Sequence, residues 1–442
     1  MNRRPRDPLA PRPRHRPRRA GAAALAGALG LTVLASACAP AASPDDASRP
    51  ANSVFTLTGH GWGHGRGMSQ WGAQGAASLG VTANTILATY YPGTARTTVA
   101  NSPIRVLVSA DEGRDLQVAP AAGLTVTDAL NHRLVLPAGP KRWRVATDPT
   151  GLVLQRLDAN GLWTSMPVAG SARLGSPARF TAATPTIALV LPDGSSREYR
   201  GTPTAVRRSN GALYSVVAVP MESYLRGVVP KEMSPSWRSA ALQAQAVAAR
   251  TYAAQRRASA AVGSAYDICD STACQVFPGS AGTSRTGVRT SYEYAASDAA
   301  VAATAGHIRT YNGRPAFTEF SASNGGWSVS GGLAYLPARA DAWDGAAANS
   351  LHTWKATLPA AALEARYPAI GRLTKVRVTA RDGKGEWGGR VVTVVLEGVG
   401  PTGQPTKVTT TGAGVAASRS WPGAADGLRS SWWQITNGAP VS

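Results

Sequence analysis

One stretch of the chain, residues 228–252, constrains the fold more than any other. It reads VVPKEMSPSWRSAALQAQAVAARTY. An apolar, β-branched run leads to a single carboxylate, Glu232, and a helix-start signal follows, because Ser234 can cap a helix and Pro235 suits its first position. The Ala- and Gln-rich run after it predicts one long helix that reaches about Arg257. We therefore expect an acidic group held between a strand and the start of a helix, a position suited to acid–base chemistry.

The segment before this helix, residues 102–219, alternates between apolar and polar side chains. Short runs such as IRVLVSA, RLVLP and TIALVL are separated by turns of Gly, Asn, Asp and Pro. This spacing is typical of a β-meander. The fold class we expect is α+β, with a β-rich domain and a mixed catalytic domain built around one long Ala-rich helix. Further strands are predicted at residues 373–410, and GLRSSWWQI predicts a last strand.

The charge of the chain limits the classes of partner. The net charge is +21, of which a basic leader supplies +7 through eight Arg and one Asp in residues 1–20. The remaining basic residues are dispersed rather than clustered, which argues against nucleic-acid binding. A diffuse positive surface suits an anionic partner outside the cell, such as a cell wall or anionic lipid headgroups.

Residues 1–38 predict an export signal. A basic region at residues 3–19 precedes an Ala-, Gly- and Leu-rich region at residues 20–37, which is too weakly apolar for a permanent membrane span. The pair Arg18 and Arg19 leaves twin-arginine export open as an alternative to the general route. Residues 39–53, rich in Pro, Ala, Ser and Asp, predict a flexible tether.

The three cysteines carry separate predictions. The sequence ASAC resembles a lipobox, in which Cys38 becomes the lipidated first residue; ordinary cleavage near Ala37 is the alternative. Lipidation would anchor the protein to the outer face of the cytoplasmic membrane, whereas cleavage would release it to the cell wall. In an exported protein Cys269 and Cys274 pair naturally as a disulfide, which leaves Cys38 odd. Half of a metal site is the alternative for the pair.

A glycine-rich motif, GHGWGHGRGMSQWG, lies in residues 54–98. Its glycines predict tight turns or a backbone that lies close to another group. His60 and His64 suggest metal ligands, although no third ligand lies nearby in sequence. The alternatives are a turn that packs its aromatic residues and the wall of a cleft, where His64, Gln70 and Trp71 would contact a sugar.

Two further features extend the predicted site. Arg250 interrupts the Ala-rich helix, where a cation is costly unless it is exposed or paired, so it is either a buried structural residue or a site residue. The SASNGG sequence ends a predicted strand in a polar turn that presents Ser323 and Asn324. A loop holding Asp341 and Asp344 would line the same cleft.

Residues 228–253 and 59–77 resemble the SpoIID/LytB family, which comprises stage II sporulation protein D and amidase enhancers of bacterial cell walls. The CDSTACQVFPG loop and the SASNGG turn also agree. The resemblance covers residues 54–433 and implies four parts: a motif segment (54–98) packed on a SpoIID-like domain, a β-rich domain (99–219), a SpoIID-like catalytic core (220–345) and a C-terminal β-rich segment (346–442). In the sporulation protein the Gly-His motif lies near the C-terminal end of the domain, whereas here it comes first. We therefore expect the LRSSWW sequence to pair near residues 59–71.

The resemblance implies a lytic transglycosylase that cleaves the MurNAc–GlcNAc bond of peptidoglycan strands and leaves a 1,6-anhydro end, with Glu232 as the catalytic acid and base. The substrate-binding residues that we assign on this basis are Arg250, Gln275, Ser323, Asn324, His64, Gln70 and Trp71. No cofactor is implied. A zinc in some members uses one His and two Cys, and since no matching His is evident we expect no metal. The alternatives are a non-catalytic wall-binding enhancer of an amidase and a structural lipoprotein with a vestigial cleft.

Overall fold

The structure, a computed structural model, describes residues 46–416 and 428–437. The export signal, Cys38 and the beginning of the predicted tether lie outside the described residues. The helices are α1 Gln70–Ser78, α2 Ala83–Tyr90, α3 Met221–Glu232, α4 Ser239–Ser259, α5 Ala295–Ala303, α6 Ala360–Arg366 and α7 Gly412–Ala416. Within this part of the chain, none of them is long and apolar enough to span a membrane.

The strands are β1 Asp46–Ser48, β2 Val54–His60, β3 Met68–Ser69, β4 Ala95–Thr98, β5 Pro103–Leu107, β6 Leu116–Val118, β7 Thr125–Thr127, β8 Arg133–Val135, β9 Arg142–Asp148, β10 Gly151–Leu157, β11 Trp163–Met166, β12 Ala178–Thr181, β13 Ile187–Val190, β14 Ser196–Tyr199, β15 Thr202–Arg207, β16 Leu213–Pro220, β17 Ile268–Cys269, β18 Ala281–Thr283, β19 Arg289–Ser291, β20 His307–Tyr311, β21 Arg314–Pro315, β22 Phe320–Ser321, β23 Thr353–Pro359, β24 Arg372–Arg381, β25 Val391–Val399, β26 Pro405–Thr411 and β27 Trp433–Ile435. The α+β class is therefore confirmed.

Two large sheets contain most of the predicted β-rich region. One has the order β11-β10-β9-β6-β13-β14-β18-β19, and the other has the order β17-β5-β16-β15-β12-β7-β8. Their apolar side chains, among them Trp143 and Val217, join residues of α1, α3 and α4 in one hydrophobic core. Because the strands and helices share this core, the sheets form a rigid support for the helices that carry the candidate site.

A second core lies in the C-terminal part, where β1, β24, β25 and β26 form a sheet. Asp46–Ser48 pairs with β24, and Arg49 bonds to Glu364, so the end of the expected tether is ordered structure instead. Residues 46–48 are too short to predict a strand from their pattern of burial. They form one because their backbone groups find hydrogen-bond partners in β24.

The first strand of the motif segment, β2, lies between two strands that are distant in sequence. β2 pairs with β23 on one side and with β27 on the other, where Gly59 lies opposite Trp433. The expected pairing of the LRSSWW sequence with the glycine-rich motif is therefore confirmed.

The helices around Glu232 differ from the prediction. Val228 and Val229 belong to α3 rather than to a strand, and α3 continues through Pro230 to Glu232. They share a buried helical face with Tyr224, which lies four residues before Val228. This helical periodicity outweighs the preference of β-branched residues for strands. The long helix begins at Ser239 with Arg238 as its N-cap, not at Ser234, because residues 234–237 form a turn closed by the Trp237 N–H to the Ser234 carbonyl.

Arg250 belongs to α4 and lies in the core beside the first turn of α3. It is fully buried, and its guanidinium donates to both carboxylate oxygens of Glu222, at 2.9 and 2.6 Å. It also donates to the carbonyl oxygens of Val301 and His307, so it joins α3, α4, α5 and β20. These contacts agree with the predicted structural role of Arg250 and not with the predicted substrate-binding role.

We expect Arg250→Met to lower the free energy of unfolding by roughly 3 kcal/mol, because removing one partner of a buried ion pair leaves Glu222 and two carbonyls without their donor. Urea denaturation followed by circular dichroism measures this change. Arg289→Met is the matched control, since its pair with Glu198 has an arginine that is 58% exposed and is screened by solvent, so that its loss should cost much less. Equal losses in the two variants would contradict the role given to Arg250.

Candidate active site

Glu232 is the last residue of α3. Protein surrounds most of its carboxylate, although part of the side chain still reaches solvent. Burial raises the pKa of Glu232, and hydrogen bonds from Gln70 and the Val276 N–H only partly oppose this effect. The negative end of the α3 dipole also favours the protonated form, which is opposite to the influence expected from a helix start. The carboxyl group is thus suited to hold a proton at a higher pH than an exposed glutamate.

Lys231 does not act on this carboxylate. Its ammonium lies 4.4 Å from the centre of the Tyr292 ring and its side chain is exposed. Asp267 and Asp270, the acidic residues nearest to the disulfide loop, pair with Arg105 and Arg197. Apart from burial, the groups that shift the pKa of Glu232 are the Gln70 amide and the Val276 N–H, and neither is a carboxylate.

Gln70 reaches Glu232 from the glycine-rich motif. Its Nε2 donates to Oε2 of Glu232 at 3.3 Å, and its side chain is buried. Gln70 is the first residue of α1, which Ser69 caps by accepting a hydrogen bond from the Gly72 N–H at 3.0 Å. The cap fixes the first turn of α1 and with it the backbone of Gln70.

Two glycines of the motif allow this approach. Gly67 has φ +67°, and a Cβ there would collide with the Glu319 carbonyl as β3 pairs with β22. A Cβ at Gly72 would collide with the Tyr90 hydroxyl on α2. These positions need glycine because neighbouring segments lie against the backbone, as the sequence analysis expected of the motif.

Two tryptophans are near the hydrogen bond from Gln70 to Glu232 in sequence, since Trp71 follows Gln70 and Trp237 lies five residues after Glu232. The rings of Trp71 and Trp237 are 4.7 Å apart at an angle of 56°, and each is half-buried. Trp237 belongs to the loop 233–238 directly after Glu232, and this loop is tied to α1 by the Arg238 N–H donating to Gln74 Oε1 at 2.9 Å. Trp237 was not among the predicted site residues, although its place only five residues after Glu232 was an available signal.

Gln275 bonds to the helices next to Glu232 and not to open solvent. Its side chain is buried, its Oε1 accepts from the Tyr224 hydroxyl at 3.0 Å, and its Nε2 donates to the Ala249 carbonyl at 3.4 Å. With its amide bonded in this way, Gln275 fixes the backbone that brings the Val276 N–H to Glu232. A disulfide between Cys269 and Cys274 closes the loop just before it.

Ser323 and Asn324 are fully buried rather than open to a ligand. The Ser323 hydroxyl donates to Asp344, and the Asn324 side chain donates to Asp341 Oδ2 at 2.7 Å. The Ser-Asn-Gly-Gly turn therefore meets the two aspartates in a closed polar network. Direct contact between these two side chains and a substrate does not fit this geometry.

The two histidines of the motif have different surroundings. His60 packs between Trp387 and Trp432, with ring centres 4.4 and 4.8 Å away, which matches the aromatic-turn interpretation. The His64 side chain is partly exposed, and its Nδ1 accepts from the Arg66 N–H at 3.0 Å. Desolvation by its surroundings and the Arg66 charge lower the pKa of His64 to about 4, so its imidazole is neutral at pH 7. Within residues 46–416 and 428–437, no group of three or more His, Cys, Asp or Glu is arranged to hold a metal ion.

The structure thus brings together Glu232, Gln70 and Trp71, and it keeps Arg250 away from them. Arg250 bonds to Glu222 at the other end of α3, about 15 Å from Glu232 along the helix axis. A half-buried carboxyl group with a raised pKa and two hydrogen-bond donors can give a proton to a ligand and take one back.

Comparison with known proteins places this site in a described family. Residues 209–311 match the SpoIID family, described as "Stage II sporulation protein". The amidase enhancer of Bacillus subtilis (strain 168) is 35% identical over 126 residues, which cover 27% of this chain and 15% of the relative. Stage II sporulation protein D of the same organism is 32% identical over 158 residues, which cover 33% and 45%.

Stage II sporulation protein D of Bacillus amyloliquefaciens is 27% identical over 217 residues, which cover 46% of this chain and 61% of the relative. The matches thus span less than two thirds of the length of each of these relatives. The family match includes Glu232 and the disulfide loop, whereas the glycine-rich motif lies before it. Residues 209–311 thus match a SpoIID domain, and the chain is similar to stage II sporulation and amidase-enhancer proteins.

Proposed function

We propose that the protein is a lytic transglycosylase that cleaves the MurNAc–GlcNAc bond of peptidoglycan strands, with Glu232 as its single acid and base. The observation that carries this proposal is the partly buried carboxyl of Glu232, whose pKa is raised at the end of α3. Relatives named for sporulation and for enhancing an amidase support a cell-wall substrate.

The reaction explains why one carboxyl group suffices. Hydrolytic glycosidases need a second carboxylate to activate water or to attack the sugar. In a lytic transglycosylase the C6 hydroxyl of the MurNAc residue attacks its own C1. Protonated Glu232 first gives its proton to the departing glycosidic oxygen, and the resulting carboxylate then removes the proton of the C6 hydroxyl. The 1,6-anhydro ring forms and the carboxyl group is restored.

The neighbours of Glu232 support both halves of this cycle. Burial favours the protonated acid before bond cleavage. The Gln70 amide and the Val276 N–H stabilise the carboxylate that exists between the two proton transfers. Trp71 and Trp237 offer ring faces on which sugar rings of the strand would pack, and exposed His64 remains a candidate contact further along the motif.

A second function has a specific observation in its favour, since one relative is named amidase enhancer. In this alternative the same cleft binds glycan strands without cutting them and increases the activity of a cell-wall amidase. Either function requires export, and we propose that the protein acts outside the cytoplasm as a lipoprotein or as a secreted wall protein.

We expect Glu232→Gln to reduce the release of 1,6-anhydro-muropeptides by about 10²- to 10⁴-fold, because the variant cannot transfer a proton. Mass spectrometry of digests of intact and peptide-stripped peptidoglycan measures the products. Glu112→Gln, at a glutamate that is 42% exposed on the β-rich part, is the control and should retain full activity.

A variant Glu232→Gln as active as the wild type would overturn the catalytic assignment. A wild-type protein that sediments with sacculi, releases no products and stimulates an added amidase would select the enhancer function instead.

The raised pKa of Glu232 also predicts a pH-dependent stability difference. In the unfolded chain this carboxyl titrates near its ordinary value of 4.5, and in the folded protein it titrates higher. Between these two values the folded state binds more protons, so the wild type loses stability as pH rises through the window. We expect the free energy of unfolding of Glu232→Gln, relative to wild type, to increase across it and then level off. Urea titrations at closely spaced pH values measure this; a difference that is independent of pH would contradict the raised pKa.

We expect Trp237→Ala to weaken the binding of glycan strands by up to about tenfold, since an aromatic contact contributes roughly 0.5–1.5 kcal/mol. Binding is measured by sedimentation with sacculi in the Glu232→Gln background, so that no strand is cut. Trp163→Ala is the control, because Trp163 packs under Arg144 on the outer strand β11. Equal binding of glycan strands by the two variants would show that Trp237 does not contact the strand.

A further inference from the structure

Asp344 is a buried carboxylate that the proposed reaction does not use. It lies outside the matched residues 209–311, in a loop before β23. Its oxygens accept hydrogen bonds from six groups, namely the hydroxyls of Ser69 (2.5 Å) and Ser323 (2.8 Å), the backbone N–H of Asn324 (3.0 Å) and Gly325 (3.1 Å), Nδ2 of Asn349 (3.1 Å) and Nδ1 of His352 (2.8 Å). So many donors fix the carboxylate in one place.

The contact with Ser69 links this network to the catalytic carboxyl. A hydroxyl has one proton, and Ser69 donates it to Asp344 while its oxygen accepts from the Gly72 N–H. Asp344 therefore sets the direction of the Ser69 hydroxyl, and Ser69 caps the helix whose first residue is Gln70. Gln70 in turn donates to Glu232.

We propose that Asp344 is a positioning residue for Glu232, acting through Ser69 and the first turn of α1 on the Gln70 amide. Its consequence for catalysis depends on the proposed function, whereas its effect on the Glu232 carboxyl does not. The Gln70 bond stabilises the carboxylate form, so loosening α1 raises the pKa of Glu232 further.

Other charged and titratable groups face these two carboxylates and are left unchanged in the test. Asp341, Arg390, His352 and Tyr90 surround Asp344. Tyr224 faces Glu232 from its own helix, α3, while α1 and the segment at Val276 present an amide and a backbone N–H. Effects that reach Glu232 from Asp344 therefore have a defined route through Gln70.

The experiment is a carbon-13 NMR titration of the Glu232 carboxyl in glutamate-labelled protein, with its resonance assigned by its loss in Glu232→Gln. We compare the wild type with Asp344→Asn, Gln70→Ala and the double variant. We expect each single variant to raise the pKa of Glu232, and we expect the double variant to raise it no more than Gln70→Ala alone. Asp267→Asn, at a buried carboxylate paired with Arg105, is the control and should leave the pKa unchanged.

An unchanged Glu232 pKa in Asp344→Asn would overturn the proposal, as would a double variant whose shift is the sum of the single shifts. If Asp344→Asn does not fold, Ser69→Ala replaces it, because that variant removes only the intervening hydroxyl and must give the same upward shift. In active protein we also expect kcat to fall by about 10- to 100-fold, with KM nearly unchanged. Because the titration needs no turnover, a wild type that cuts no glycan would refute the proposed function while the pKa comparison still decides the role of Asp344.

Discussion

The hydrogen bond from Gln70 to Glu232 joins two segments that lie 162 residues apart in the chain. Its formation requires α1 to begin at Gln70, which the Ser69 cap ensures, and α3 to end at Glu232. It also requires the glycine-rich motif to lie against β22, where side chains larger than hydrogen would collide with the Glu319 carbonyl. The arrangement around the candidate acid is thus set by backbone packing before any ligand is present.

The electrostatic character of the acid depends on where α3 ends. A carboxyl group at the start of a helix is stabilised as an anion, whereas one at the last residue faces the negative end of the dipole. Glu232 combines this position with burial, and two neutral donors moderate the effect. Lys231 lies over the Tyr292 ring, and Arg250 pairs with Glu222 at the other end of α3. Among the described residues, the groups that act on the pKa of Glu232 include no cation, so the preference for the protonated form is kept.

The sequence predicted the fold class, a β-rich region and the strand that pairs with the motif, since alternation and turn residues are local signals. The strand order is not that of a meander, because β6 lies between β9 and β13 and β12 lies beside β7. Glu232 is the last residue of α3 and does not follow a strand, because Val228 and Val229, whose β-branching indicated a strand, form a helical face with Tyr224. The positions of Arg250, Ser323 and Asn324 could not be predicted, because their partners Glu222, Asp344 and Asp341 are chosen by tertiary packing.

The pairing of β2 with β27 has a consequence for the order in which the protein matures. Gly59 and His60 begin the glycine-rich motif that later supplies Gln70, and their strand pairs on one side with Trp433–Ile435. Such a contact spans almost the whole chain and forms late in folding, because long loops must close first. This pairing cannot form until residues 433–435 have been synthesised, so the strand that leads into the motif gains its second neighbour late.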